Sequence, residues 1–164
     1  TIKGLTDAAN EMDLNILINN AGIYLKKPVG EMSITEFRRV LDVNLIAPVV
    51  LTKQIFNVFK RNSSGLVINI NSIAGKNPGM LETAYCASKH GLKGFMGAFQ
   101  FESLQHNIPI INIYLGAMNT DMTAGRGDFQ KYIKTEEVAN IIYNMHQNYS
   151  SLRVTEIEIL RKIY

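Results

Sequence analysis

A single cysteine, Cys86, stands in 164 residues, so the chain holds no internal disulfide and no multi-cysteine zinc site. Cys86 is left with the role of a small buried hydrophobe. Long hydrophobic runs are also missing. Stretches such as "LINNAGIYL" and "LIAPVVL" are interrupted and too short to span a bilayer, and no basic segment leads into an apolar core near Thr1. A cytoplasmic protein with no membrane partner is expected. The formal charge of +3 is scattered, with only short clusters such as Lys26-Lys27 and Lys60-Arg61, and it makes no stripe for nucleic acid. His90, His106 and His146 have no ligand spacing, so no metal site is expected. Internal repeats and low-complexity segments do not occur.

What is present is ordinary for a globular protein: 46% apolar and 19% charged residues, enough for one domain over residues 1–164. Short apolar runs alternate with stretches of helical period, which predicts β-α-β units around a parallel sheet. The expected strands are Leu14 to Asn19, Leu66 to Asn71, Ile110 to Leu115 and Arg153 to Leu160. "LVININ" and "IINIYL" are nearly continuous apolar runs, as central strands covered on both faces should be. Ser33-Ile34-Thr35-Glu36 fits a capping box, and Phe37, Val40, Leu41, Asn44 and Leu45 follow at helical spacing, predicting a helix to about Phe59. Further helices are predicted from Ala84 to Gln105 and from Thr135 onward, the latter with Val138, Ile141, Ile142 and Met145 on one face. Thr1 to Met12 reads as the tail of a helix feeding straight into the first strand, whose edge needs a partner or a cover.

Four short segments carry chemistry. In "TAYCASKHGLKGF", Tyr85 and Lys89 are four apart and share one helical face. A nearby ammonium favours phenolate. For proton transfer near neutrality a tyrosine pKa of about 10 must fall by about 3 units, or about 4 kcal/mol, more than one lysine supplies alone; an oxidised nicotinamide ring would add positive charge. In isolation such a pair is usually a surface pair. Asn19-Asn20-Ala21-Gly22 ends one buried-type strand and Ser72, with Ala74 and Gly75 behind it, ends another, at the carboxyl edge where open α/β sheets bind ligands. Each could equally be a turn. Asn44 interrupts the long helix, and Pro48 cannot donate to its carbonyl, which leaves either a kink satisfied by water or a placed water-binding group.

Together Asn-Asn-Ala-Gly, the helical Asn, the strand-end Ser and Tyr-x-x-x-Lys resemble, in order and spacing, the short-chain dehydrogenase/reductase family. The resemblance runs from about Asp13 to the C-terminus and continues in "INIYLGAMNTDM", where Leu115 stands in place of the family's proline while Gly116 and Thr120 match. It implies a Rossmann-like three-layer α/β/α fold and an enzyme that interconverts a carbonyl and a secondary alcohol with NAD or NADP. By resemblance Tyr85 is the general acid/base. Lys89 lowers the Tyr85 pKa and binds the nicotinamide ribose, Ser72 bonds the reacting oxygen, and the Asn44 carbonyl holds a water. Asn20, Ala21 and Gly22 line the ribose and adenine side, with Gly116, Met118 and Thr120 around the nicotinamide and phosphates.

One departure matters. Members of the family resemble one another in opening with a strand, a Gly-rich turn and a helix whose N-terminus holds the pyrophosphate, and the sequence shows no such turn. Two such units need about 60 residues. The chain is therefore expected to be the carboxyl-side portion of such an enzyme, with about four strands. The rival expectation is an inactive fragment acting as an interaction module or as half of a two-chain protein. Residues 122–132, "MTAGRGDFQKY", form either a substrate lid or a solvated connection. Phe56, Phe59, Phe95, Phe99 and Phe101 give the two long helices more apolar surface than one sheet face needs, and by resemblance such helices pair in a homo-oligomer.

Overall fold

The computed structural model describes residues 2–12, 14–127, 129–148 and 153–162. The chain runs α1 (Ile2–Glu11), β1 (Ile16–Asn19), α2 (Ile34–Leu41), a π-helical turn (Asp42–Ile46), α3 (Ala47–Asn62), β2 (Leu66–Ser72), α4 (Thr83–Leu104), β3 (Ile110–Leu115), α5 (Thr135–Asn148) and β4 (Glu156–Ile159). The four strands are parallel and ordered β1-β2-β3-β4.

Period-two alternation sorts the strand side chains into two cores. On one face Leu17, Val67 and Ile110 pack with Ile55 and Phe59 of α3, Leu92 and Met96 of α4, and Ala9 of α1. On the other, Ile68, Ile111, Ile113 and Leu115 pack with Val138 and Met145 of α5. The result is the Rossmann-like three-layer α/β/α arrangement expected. All six residues of β3 are buried, which explains its unbroken apolar run. β1 begins two residues later than expected because Leu14 N–H turns back to the Met12 carbonyl, 2.9 Å away. β4 is shorter than expected, and its alternation of exposed Glu156 and Glu158 with half-buried Ile157 and Ile159 is that of an edge strand. Residues 149–152, just before it, lie outside the described residues.

The capping box forms as expected. Ser33 Oγ accepts from Glu36 N–H at 3.1 Å and Glu36 Oε2 from Ser33 N–H at 2.8 Å, and these bonds with Lys27 hold the Glu36 carboxyl down at about 2. The helix that follows is not uniform. Its ladder widens at Asp42–Ile46, where Ala47 N–H bonds the Asp42 carbonyl five residues back, and α-helix resumes with Pro48 in its first turn. End to end, Ile34–Asn62 is long and apolar enough to cross a bilayer. Val40, Ile55, Val58 and Phe59 of this stretch are buried inside the protein, while Ile34 and Ile46 are exposed. Of the five phenylalanines expected on an open face, Phe59 is wholly buried and Phe56, Phe95 and Phe99 pack against the first core; only Phe101 is exposed, at 78%.

Candidate active site

The carboxyl ends of β1, β2 and β3 open into one cleft of about 720 Å³. Asn20, Ala21 and Gly22 follow β1 into its wall, Ser72 ends β2, and Gly116, Met118 and Thr120 follow β3. Tyr85 and Lys89, one turn apart in α4, complete it. Every sequence-predicted site residue except Asn44 lines this one cleft, and Asn44 lies directly behind it. A Cβ built on Gly22 would sit 3.5 Å from Asn44 Oδ1 and 3.9 Å from Lys89 Nζ, so Gly22 is where the β1 loop runs against both.

Asn44 works through its side chain. Oδ1 accepts from Ile23 N–H at 2.8 Å, and Nδ2 donates to the Ile23 carbonyl at 2.8 Å and to Ser88 Oγ at 3.1 Å. Ser88 passes its own proton to the Tyr85 carbonyl, 2.7 Å away. The π turn thus aims one buried amide at the β1 loop and at the helix turn between Tyr85 and Lys89. That is the physical reason an asparagine, a poor helix former, sits inside a helix. Ser88 was not expected, and its only sequence signal is its place three residues after Tyr85.

Lys89 is 5% exposed, its Nζ donating to the Ile70 carbonyl at 3.2 Å; burial pulls its pKa down to about 8. Its Nζ stands 5.8 Å from the centre of the Tyr85 ring. The resemblance implied that Lys89 lowers the Tyr85 pKa, whereas the phenol's net shift is upward. Burial raises the phenol above its ordinary value, and the opposing pull comes first from a hydrogen bond with Ser72.

β2 ends in a tight connection. Asn71 Oδ1 accepts from Ser72 N–H at 2.8 Å, Asn71 Nδ2 donates to the Lys89 carbonyl at 3.3 Å, and Ser72 Oγ accepts from Ala74 N–H at 3.1 Å. A Cβ at Gly75 would fall 2.9 Å from the Lys89 carbonyl oxygen, so this glycine lets α4 approach β2. After β3, Leu115 pairs as strand with Ser72 and Ile159, and Gly116 N–H reaches the Ile159 carbonyl at 2.9 Å. A proline at 115 would have no N–H to offer a ladder. Cys86 is buried as expected and accepts from Gly79 N–H.

Three further lining residues were not singled out by the sequence, although Arg126 lies in the 122–132 segment expected as a lid or a solvated connection. Tyr24 meets Tyr85 edge to face with ring centres 5.1 Å apart and donates to Glu82 Oε1 at 2.5 Å. Arg126 lies over the Tyr24 ring at 4.2 Å. They come from three separate segments, and only the fold assembles them.

Comparison with known proteins identifies the family and the fold. The chain is 34% identical over 137 residues to a 3-oxoacyl-acyl-carrier-protein reductase of Rickettsia bellii, with 82% of this chain and 56% of that protein covered. A solved 4-hydroxyisoleucine dehydrogenase mutant, complexed with NADH and succinate, superposes with TM-score 0.88 at 24% identity, covering 98% of this chain and 73% of the other. A metagenomic short-chain oxidoreductase complexed with NADP gives 0.81 at 24% identity, covering 100% and 71%. At that identity the two structures speak for the fold. The chain spans about half or less of the length of the curated relatives it matches. Residues 3–131 match the family model for short chain dehydrogenases, and the chain belongs to that family.

Proposed function

We propose that the protein is an oxidoreductase interconverting a carbonyl and a secondary alcohol with NAD or NADP, through Tyr85, Ser72, Lys89 and Asn44. The observation that carries this reading is the convergence of a phenol, a hydroxyl and a buried ammonium on one cleft. NADH and NADP in the two solved relatives support the choice of cofactor. The residues present also fit one. Among the described residues Lys89 Nζ has a single protein acceptor, Ile70 O, which leaves donors for ribose hydroxyls, and Gly22 keeps the β1 loop close to that ammonium. Asn20, Ala21 and Gly22 would hold the ribose and adenine side, and Gly116, Met118 and Thr120 the nicotinamide side.

A nicotinamide held by these residues would supply or accept the hydride. This chain's residues manage the proton. Ser72 Oγ and the Tyr85 hydroxyl together hold the substrate oxygen. Burial keeps Tyr85 protonated, so the site is poised to donate a proton to the oxygen as a carbonyl is reduced. Removing that proton in the oxidative direction needs further positive charge beside the phenol, which an oxidised nicotinamide would add. Asn44 and Ser88 fix the helix turn that carries both Tyr85 and Lys89. The test is NAD(P)H oxidation with a panel of small ketones, comparing the protein with Tyr85→Phe. Turnover by Tyr85→Phe equal to the parent would remove Tyr85 as the acid.

Exposed Phe101 on α4 supports a homo-oligomer paired through this helix. Light scattering after size exclusion tests it: Phe101→Glu should shift the protein toward monomer. A second reading, an interaction module or half of a two-chain protein, is favoured by Ile18, 47% exposed on edge strand β1. Micromolar cofactor affinity of residues 1–164 alone would count against that reading.

A further inference from the structure

Arg126 lines the cleft, and among the described residues it forms no salt bridge. Its Cζ lies 4.2 Å above the Tyr24 ring, and the Tyr24 ring in turn meets the edge of Tyr85. A guanidinium carries five N–H donors in a planar fork, and stacking on an aromatic face leaves most of that fork open. Two acidic side chains share the cleft wall, Glu82 and Asp121, and among the described residues neither forms an ion pair with Arg126. Glu82 is occupied elsewhere. It takes the Tyr24 hydroxyl proton at 2.5 Å and lies over Gly79, where any Cβ would collide with its carboxylate.

The backbone holds Arg126 in place. Gly125 turns the chain at a φ of 79°, and Arg126 N–H bonds the Thr123 carbonyl at 3.2 Å. Thr123 Oγ1 bonds the Met118 carbonyl, and the Gly127 carbonyl accepts from the Tyr132 hydroxyl at 3.0 Å. The ends of this segment are tied by Asn119 N–H to Ile133 O at 2.8 Å and Ile133 N–H to Ala117 O at 3.1 Å. A loop pinned at both ends thus presents a cation one aromatic ring away from the proton donor.

We propose that Arg126 determines substrate specificity by binding a carboxylate carried a few bonds from the reacting carbonyl, so that the substrate class is oxo acids. The inference rests on the oxidoreductase reading of the same cleft. With its carbonyl oxygen on Tyr85 and Ser72, a short oxo acid would run its carbon chain along the Tyr24 ring and end on the guanidinium fork. A planar carboxylate matches that fork with two parallel hydrogen bonds. The pairing should favour the acid over its neutral ester by about tenfold or more.

The test is calorimetric titration of the protein, Arg126→Ala and Arg126→Lys with 4-oxopentanoate and 5-oxohexanoate, each beside its methyl ester. NADH and NADPH are titrated in parallel. The expected result is an acid-over-ester preference of about tenfold or more in the parent, none in Arg126→Ala, and a reduced preference in Arg126→Lys, with cofactor affinity unchanged in all three. Equal affinity of the parent for acid and ester, or no binding of either, overturns the proposal. So does a preference that survives in Arg126→Ala. A loss of cofactor affinity in Arg126→Ala with the acid preference intact would assign the guanidinium to a cofactor phosphate instead and overturns it as well. Binding needs no turnover, so an acid preference without reduction of any carbonyl would refute the oxidoreductase reading alone.

Discussion

Replacing Lys89 with methionine should make the protein more stable while disabling its site. Burial moves the Lys89 pKa from 10.5 to about 8, so the unfolded chain binds this proton near pH 10.5 and the folded chain only near pH 8. Between those values the unfolded state holds more protons, and stability rises with pH; below pH 8 the penalty is complete. At 1.36 kcal/mol per unit the penalty is about 3 kcal/mol at neutrality. Methionine removes it and fills similar space, while the lost bond to Ile70 O takes back about 1 kcal/mol. The net gain at pH 7 is about 2 kcal/mol, or about 4–8 °C in Tm. Urea unfolding of both proteins at pH 7, 8.5 and 10 reads this directly. Tyrosines of the unfolded chain titrate alike in both proteins and drop out of the difference. The advantage of Lys89→Met should shrink steadily above pH 8. A stability difference that stays flat from pH 7 to 10 would falsify the claim that a buried ammonium is held here against its solvation.

Other changes probe separate parts of the site. Tyr85→Phe should lower carbonyl reduction by about 10²–10⁴-fold and leave nicotinamide affinity, read by calorimetry, within about twofold, since the ring packing survives and only the proton is lost. Asn44→Ala strips partners from the Ile23 N–H and carbonyl and from Ser88, and chemical denaturation should show a loss of about 2–4 kcal/mol. Gly75→Ala places a methyl 2.9 Å from the Lys89 carbonyl and 3.1 Å from Asn71 Oδ1, so α4 must shift. A destabilisation of about 1–3 kcal/mol together with a raised cofactor KM is expected, and an unchanged KM would mean that Lys89 tolerates the displacement.

Much of the frame was legible because it rests on local chemistry. β3 was placed to the residue by one apolar run, and α2 by a capping box that forms as written. Tyr85 and Lys89 were legible as a pair because the helix itself sets their spacing. What could not be read depends on contacts between distant segments. The π turn exists because Asn44 bonds Ile23, 21 residues earlier, and Ser88, 44 residues later, and local propensity carries no trace of either. Tyr24, Glu82 and Arg126 lie far apart in the sequence and are brought together only by the fold. The Tyr85 pKa could not be read from spacing at all: an ammonium at i+4 suggests a lowered value, but burial of the ring raises it.

A row of asparagines explains why the strand ends meet so closely. Asn19, Asn69 and Asn112 stand in register on β1, β2 and β3, all buried, in strands whose other inward residues are mostly apolar. Asn19 Nδ2 bonds Asn69 Oδ1 at 2.8 Å and Thr52 Oγ1 of α3 at 2.9 Å, and Asn69 Nδ2 bonds Asn112 Oδ1 at 3.2 Å. Apolar side chains would bury as much surface but would tolerate a slip of two residues, which keeps each on the same face. The amides are stricter. A slip of one turns them into the apolar core under α5, and a slip of two that sets Val67 against Asn19 leaves buried amides unpaired at about 1–3 kcal/mol each. In the native register no buried side-chain polar atom among the described residues lacks a partner. One pleat beyond it, Asn71 takes the Lys89 carbonyl and the Ser72 N–H, and Ser72 comes level with Leu115. The row therefore sets the register that brings Asn20, Ser72 and Gly116 to the cleft together, and the polar interior of this sheet is part of how the candidate site is positioned.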